Sequence, residues 1–210
     1  MSYMRASERQ SQILECAKKV FAERGFHAAN VSHICAEAGI GRGTLYQYFA
    51  NKRAVFEAIL LETLERVTEL MRARPAVAGL PRPEQLTRAG VVEWSAARLR
   101  EVLVAVFADE RTLRILLREA VGLDVDIEAT LGKIDDTLVA LVARDLEAAR
   151  DAGLVRADLD PRLTATLVVG GTEKLALAAL RSDAPIDLDA LALEASRLHT
   201  VGVLSDRIRS

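Results

Sequence analysis

A chain of 210 residues with 50% hydrophobic and 28% charged residues has an ordinary globular composition, long enough for one large domain or two modest ones. No run approaches the roughly 18 apolar residues of a membrane span and the N-terminus lacks a signal-peptide stretch, so the expectation is a cytoplasmic protein without a membrane partner. The net charge of -2 is uneven: residues 1–53 carry eight basic and four acidic side chains, the other 157 carry 20 and 26, a basic head on an acidic body that suits nucleic-acid binding beside another task.

Aromatic residues make up only 4% while alanine and leucine recur in nearly every segment, which predicts an all-α protein. The first helix is expected from Ser7 to Arg24, with Ile13, Leu14, Ala17, Val20 and Phe21 as its buried stripe and Gly25 as its stop. Asn30 is a favourable N-cap for a short second helix whose apolar face is Val31, Ile34, Cys35 and Ala38, and Gly39 suits the left-handed residue that ends it. A third short helix over 42–49 buries Leu45 and Phe49 at i, i+4 and leaves Arg42, Thr44, Tyr46, Gln47 and Tyr48 on other faces. Helices two and three form a helix-turn-helix with the recognition helix second.

Asn51 can cap a fourth helix with Val55, Phe56, Ile59, Leu60, Leu64 and Val67 on one side, ending near Arg74-Pro75. The proline-rich segment 75–83 is the clearest break, read as a loop within the larger domain. Beyond it the periodicity predicts helices over 84–108, 110–121 and 126–152, the last closed by Gly153. Asp160-Pro161 opens one over 161–181, and Asp187 opens the last, to Ser205, for nine in all. The division expected is a DNA-binding domain over 1–53 and a ligand-binding and dimerisation domain over 54–210.

Cys16 and Cys35 form no C-x-x-C and lie on apolar faces, which reads as core thiols in a reducing compartment rather than a redox switch. An enzyme is the main competing class. The three histidines, His27, His33 and His199, belong to no H-E-x-x-H, G-x-S-x-G or zinc cluster. The string Gly39-Ile40-Gly41-Arg42-Gly43 follows a helix rather than a strand and lacks the lysine and hydroxyl of a P-loop. The expectation is a non-enzyme without cofactor or metal.

The run I-C-A-E-A-G-I-G-R-G-T-L-Y-Q-Y-F-A-N-K, residues 34–52, resembles the pattern I-A-x-x-A-G-V-S-x-G-T-L-Y-x-Y-F-x-x-K of the TetR (tetracycline repressor) family of bacterial transcription regulators. Asn30 and Gly41 stand where that family usually has a threonine and a serine; both can cap a helix, but Gly41 brings no hydroxyl to a phosphate. The resemblance implies a ligand-responsive, homodimeric repressor released from a palindromic operator by a small apolar or amphipathic effector, with the fourth helix as the transmission path.

Carried over position by position, the resemblance implies DNA contacts from Asn30, His33, Arg42, Gly43, Thr44, Tyr46, Gln47, Tyr48 and Lys52. Arg42 suits guanine and Gln47 adenine. Gly43 permits close approach, and Thr44, Tyr46, Tyr48 and Lys52 suit phosphates. The plainer alternative makes both tyrosines half-buried packing residues.

One short recognition helix reads few base pairs, so a homodimer on two half-sites of double-stranded DNA is expected. Its interface is expected from Leu163, Leu167, Gly170, Gly171 and Leu175, with Leu191 and Leu198 on the last helix. Trp94, the only tryptophan, and Phe107 either line an effector cavity or fill plain core, and Arg98 and Arg118 either anchor a ligand or face water. The effector's class is not legible. A DNA-binding scaffold that answers to no small molecule stays open as a third class.

Overall fold

The computed structural model describes residues 6–73, 83–108, 125–181 and 185–203. They form eight α-helices and no strand: α1 (Ala6–Ala28), α2 (Val31–Ala38), α3 (Arg42–Tyr46), α4 (Lys52–Ala73), α5 (Arg88–Phe107), α6 (Val125–Asp151), α7 (Pro161–Arg181) and α8 (Leu188–Val203). The helix expected over 110–121 lies outside the described residues. The described residues fall into two compact units, those of Met1–Glu65 with Phe107–Gly132 and those of Arg66–Val106 with Lys133–Ser210. The covalent path of α4 runs from the first into the second.

Local chemistry sets most helix ends. The side chain of Asn30 accepts from His33 N at 3.0 Å, that of Asn51 from Ala54 N at 2.9 Å, and those of Asp160 and Asp187 from Leu163 N and Ala190 N at 2.9 Å each. Gly39 (φ 63°) and Gly153 (φ 75°) end α2 and α6 in the left-handed region. In both, the glycine N–H and the next N–H turn back onto carbonyls of the last helical turn: Ile40 to Cys35 at 3.0 Å, Leu154 to Ala149 at 2.9 Å. Gly25 (φ 74°) breaks the helical path where a stop was predicted, and one further turn carries α1 to Ala28.

Two ends differ from the sequence expectation. α3 stops at Tyr46 rather than Phe49, because Gln47 N and Tyr48 N bond three residues back, to Thr44 and Leu45, and tighten the last turn. α5 starts at Arg88 rather than Glu84: residues Pro83–Gln85 form a 3₁₀ turn, and the Thr87 hydroxyl caps the helix by accepting from Gly90 N at 3.1 Å.

The first unit is built on aromatic packing. Phe56 meets Phe26 at 4.9 Å and Phe21 edge-on at 5.6 Å between ring centroids, and Ile13, Ala17, Ile34, Leu45 and Val55 of the same unit are fully buried. Lys18, 5% exposed, is the charged exception. Its ammonium lies 2.6 Å from Glu15 and 3.0 Å from Glu62, joining α1 to α4. Cys16 is half-buried and Cys35 buried, and burial raises both thiols above the usual value, partly countered at Cys35 by Arg42. Protonated thiols of this kind are poor nucleophiles.

In the second unit Val139 and Ala143 of α6 pack on Ala165 of α7, while Leu154 packs on Val91 with Leu86 and Ala149 around them. α8 is tied in by the Arg100–Asp189 ion pair and by Arg156 N donating to Val203 O at 3.0 Å. By length and composition α7 is apolar enough to cross a membrane, a finding the sequence reading did not anticipate, although Glu173 and Lys174 interrupt it. Only its average apolarity reaches that of a span; a continuous apolar run is absent from it.

Burial alone would lower the Lys18 pKa, but the hydrogen bonds that its ammonium donates to Glu15 and Glu62 outweigh it and the net shift is upward. A raised folded value makes the stabilisation complete below the unfolded lysine value of about 10.4, and lost as pH rises through the folded one. Lys18→Met is therefore expected to lower unfolding free energy by about 1–3 kcal/mol at pH 7, with the difference from wild type shrinking above pH 10.5. Urea unfolding at both pH values measures it.

Candidate DNA-reading surface and effector cavity

The helix-turn-helix presents its polar side chains outward from a buried seat. Leu45 (0% exposed) and Phe49 (5%) anchor α3, whereas Arg42, Gly43, Tyr46 and Gln47 are exposed and Thr44 and Tyr48 half-buried. A Cβ at Gly43 would meet nothing within 4 Å, so the protein's own packing does not require glycine there. Arg42 reaches back to α2, where its guanidinium donates to the Ser32 hydroxyl. Ser32 was not singled out in the sequence; the ten-residue separation across the turn carries no local signal.

On α2, the Asn30 carboxamide oxygen is engaged in the cap, and the His33 ring Nδ1 is buried without a hydrogen-bond partner. Lys52 differs from the phosphate contact that the family pattern implies. Its Nζ donates to Phe26 O at 2.6 Å and Ala29 O at 2.8 Å, with His27 O at 3.4 Å, and lies 4.2 Å over the Phe26 ring. Burial draws its pKa below the usual lysine value. In this geometry the ammonium braces the carbonyl end of α1 against the start of α4.

The second unit holds a cavity of about 260 Å³, walled by the end of α4 (Leu70, Met71) and by residues of α5, α6, α7 and α8. Trp94 and Arg98 both line it, on one face of α5, with the guanidinium carbon 4.9 Å over the indole. Arg98 Nη2 stands 3.5 Å from Asp145 Oδ2 of α6. Phe107 is half-buried at the last turn of α5 and is not among the residues that line this cavity. It stands more than three helical turns from Trp94, with the apolar stretch of α5 between them. Arg118 lies outside the described residues. Ser196, His199 and Thr200, which the sequence reading passed over, line the cavity from α8. Their i, i+3, i+4 spacing on an apolar helix was the available signal.

The expected interface residues separate into two groups. Leu163 (67%), Leu167 (74%) and Leu198 (66%) are exposed large apolar side chains, and Gly170 is exposed among them. Leu175 and Leu191 are half-buried. Gly171 is half-buried too, and a Cβ there would come 3.1 Å from His199 Nε2. Its missing side chain makes room for α8 of the same chain. Among the described residues no group of three His, Cys, Asp or Glu could hold a metal ion.

A short helix seated by its apolar side, with a row of hydrogen-bonding side chains outward and a second helix across a glycine turn, defines a helix-turn-helix DNA-binding regulator. Residues 13–59 match the family model of bacterial regulatory proteins, tetR family. The chain is 27% identical over 164 residues, 78% of each chain, to the HTH-type transcriptional regulator UidR of Escherichia coli strain K12. The fatty acid degradation regulator FadR of Bacillus halodurans shares the fold, with a TM-score of 0.79 at 24% identity, covering 95% of this chain and 98% of that one. SmeT in complex with triclosan matches with a TM-score of 0.76 at 25% identity over 94% and 92% of the two chains. SmeT is described as the repressor of the Stenotrophomonas maltophilia multidrug efflux pump SmeDEF. The helix-turn-helix of residues 13–59 is that of the TetR family of transcriptional regulators, and the chain is a DNA-binding regulator rather than an enzyme.

Replacing Lys52 with methionine removes a charge-assisted donor from the carbonyls of Phe26 and Ala29. The expected loss is about 1–3 kcal/mol of unfolding free energy in the absence of DNA, read by urea titration. An unchanged midpoint would contradict the bracing role.

Proposed function

We propose that the chain is a cytoplasmic homodimeric repressor whose paired recognition helices hold a palindromic operator and release it when a small apolar or amphipathic effector enters the cavity. The observation that carries this reading is the cavity itself: one polypeptide holds an outward-facing helix-turn-helix and a largely apolar cavity of about 260 Å³. A scaffold indifferent to small molecules has no use for such a space, which is the reason to prefer a ligand-responsive regulator. The similarity to SmeT, a repressor whose matched structure contains triclosan, supports both the sign of regulation and the type of ligand.

In this reading residues 1–53 are the DNA-reading domain and 54–210 the effector and dimerisation domain. Arg42 and Gln47 read base edges; Asn30, His33, Gly43, Thr44, Tyr46 and Tyr48 fit the backbone, and Lys52 serves them indirectly by holding the end of α1. Trp94 and Arg98 contact the effector. The dimer forms through the exposed apolar side of α7 and α8, with Leu163, Leu167 and Leu198 as its centre and Gly170 allowing close approach. Covering these leucines removes from water a patch that a monomer would otherwise expose. The effector acts by population shift: the affinity lost at the operator equals its differential affinity for the released state.

Fluorescence anisotropy with an operator duplex and a random duplex tests the reading. Arg42→Ala is expected to cost about 1–3 kcal/mol on the operator and much less on random DNA; equal losses on both would sink the base-reading role. Leu167→Glu places a carboxylate on each side of the symmetric interface. Sedimentation velocity should then find a monomer with weakened operator binding, and a dimer that persists would place the interface elsewhere.

A further inference from the structure

The cavity of the second unit is apolar over most of its wall and polar along one stripe. Ser196, His199 and Thr200 occupy one face of α8, and all three line it. Ser196 is 2% exposed, and its Oγ is enclosed without a hydrogen-bond partner. A buried hydroxyl in that condition is costly to keep, and in a wall of leucine, valine and tryptophan it calls for a partner that arrives with the ligand. His199 lies across Gly171, where the absent Cβ gives the ring its place. Burial lowers the His199 pKa, so the ring is neutral at neutral pH and offers one donor and one acceptor nitrogen.

The charged groups of the wall already have partners. Arg98 stands 3.5 Å from Asp145 and over the Trp94 ring, and Asp145 also accepts from Arg144 at 2.9 Å. Glu101 is engaged as well. An anionic head group would have to draw Arg98 away from Asp145, and a cationic one would find that carboxylate held by two guanidinium groups. Either would be desolvated without a spare counter-charge. The volume, about 260 Å³, lies just under the usual range of drug-sized sites and suits a compact molecule.

We propose that the effector is a compact, uncharged amphiphile whose hydroxyl end hydrogen-bonds Ser196 Oγ beside His199, with its apolar body against Leu70, Val91 and Trp94. This rests on the cavity being the effector site and adds the chemical class that the site accepts. Ser196 confers selectivity for a polar but neutral head, and the matched Arg98–Asp145 pair rejects both charges.

The test is a titration of the full-length protein with four probes of one chain length: 1-octanol, octanoate, octylammonium and octane. Trp94, the only tryptophan, reports occupancy by fluorescence. Octanol is expected to bind at least about tenfold tighter than either charged probe. Ser196→Ala should weaken octanol by about three- to tenfold and leave octane unchanged. The same variant should not lower the melting temperature of the ligand-free protein, because the hydroxyl it removes has no partner there.

Tightest binding of octanoate or octylammonium overturns the proposal, as does an equal loss of octane and octanol in Ser196→Ala, or a lower melting temperature. Silence of all four probes overturns it together with the effector-site reading. Selective octanol binding that depends on Ser196 but leaves operator affinity untouched supports the site's chemistry and counts against the regulatory role alone.

Discussion

A recognition helix of five residues cannot hold its own shape. Arg42–Tyr46 is far shorter than the length at which an isolated helix persists in water, so its direction is imposed by what lies beneath and beside it. Leu45 and Phe49 are driven into the core of the first unit, and the Gly39 turn fixes the entry from α2. Below them the Phe21–Phe26–Phe56 cluster sets the spacing of α1 and α4, and Lys52 joins the end of one to the start of the other through backbone carbonyls. The outward row of Arg42, Tyr46 and Gln47 is as precise as that seat. Phosphate contacts and base reading alike depend on it, since side chains on a helix that wandered could not match successive groups on DNA.

The second unit meets a different demand, an open interior that does not collapse. Its cavity lies among five helices, α4 to α8, several of them tied together: Arg100 to Asp189 between α5 and α8, Arg98 to Asp145 between α5 and α6, and the bond from Arg156 N to Val203 O at the end of α8. Gly171 lets α8 lie close on α7 with His199 between them. These links keep the polar stripe of α8 turned inward. α4 is the covalent path between the units, and it supplies Leu70 and Met71 to the cavity wall. In the proposed mechanism, α4 is the element through which a ligand's preference for one setting of that wall reaches the DNA-reading helices.

Features decided by a few neighbouring residues were legible in the sequence. Asn30, Asn51, Asp160 and Asp187 cap where their side chains predict, and Gly39 and Gly153 take the left-handed conformation that their positions require. Where two local signals competed, the boundary moved: Thr87 outweighed Glu84 as the start of α5, and a tightened turn shortened α3. The motif over residues 34–52 identified the family because its turn and its outward side chains are contiguous. The cavity was not legible, since it arises from residues as distant as Leu70 and His199. Periodicity reports that a face is covered, not whether core or empty space covers it, so it could not separate Trp94, which lines the cavity, from Phe107, which does not. It likewise could not show that Gly171 lies against His199 of its own chain.

If a seated pair of recognition helices reads a defined DNA sequence, selection of bound duplexes from a random pool at physiological salt, followed by sequencing, will show it. Enrichment of a palindrome with one fixed half-site spacing is expected. Salt-sensitive binding to every sequence alike, with no enriched motif from protein shown by native mass spectrometry to carry no bound small molecule, would contradict it.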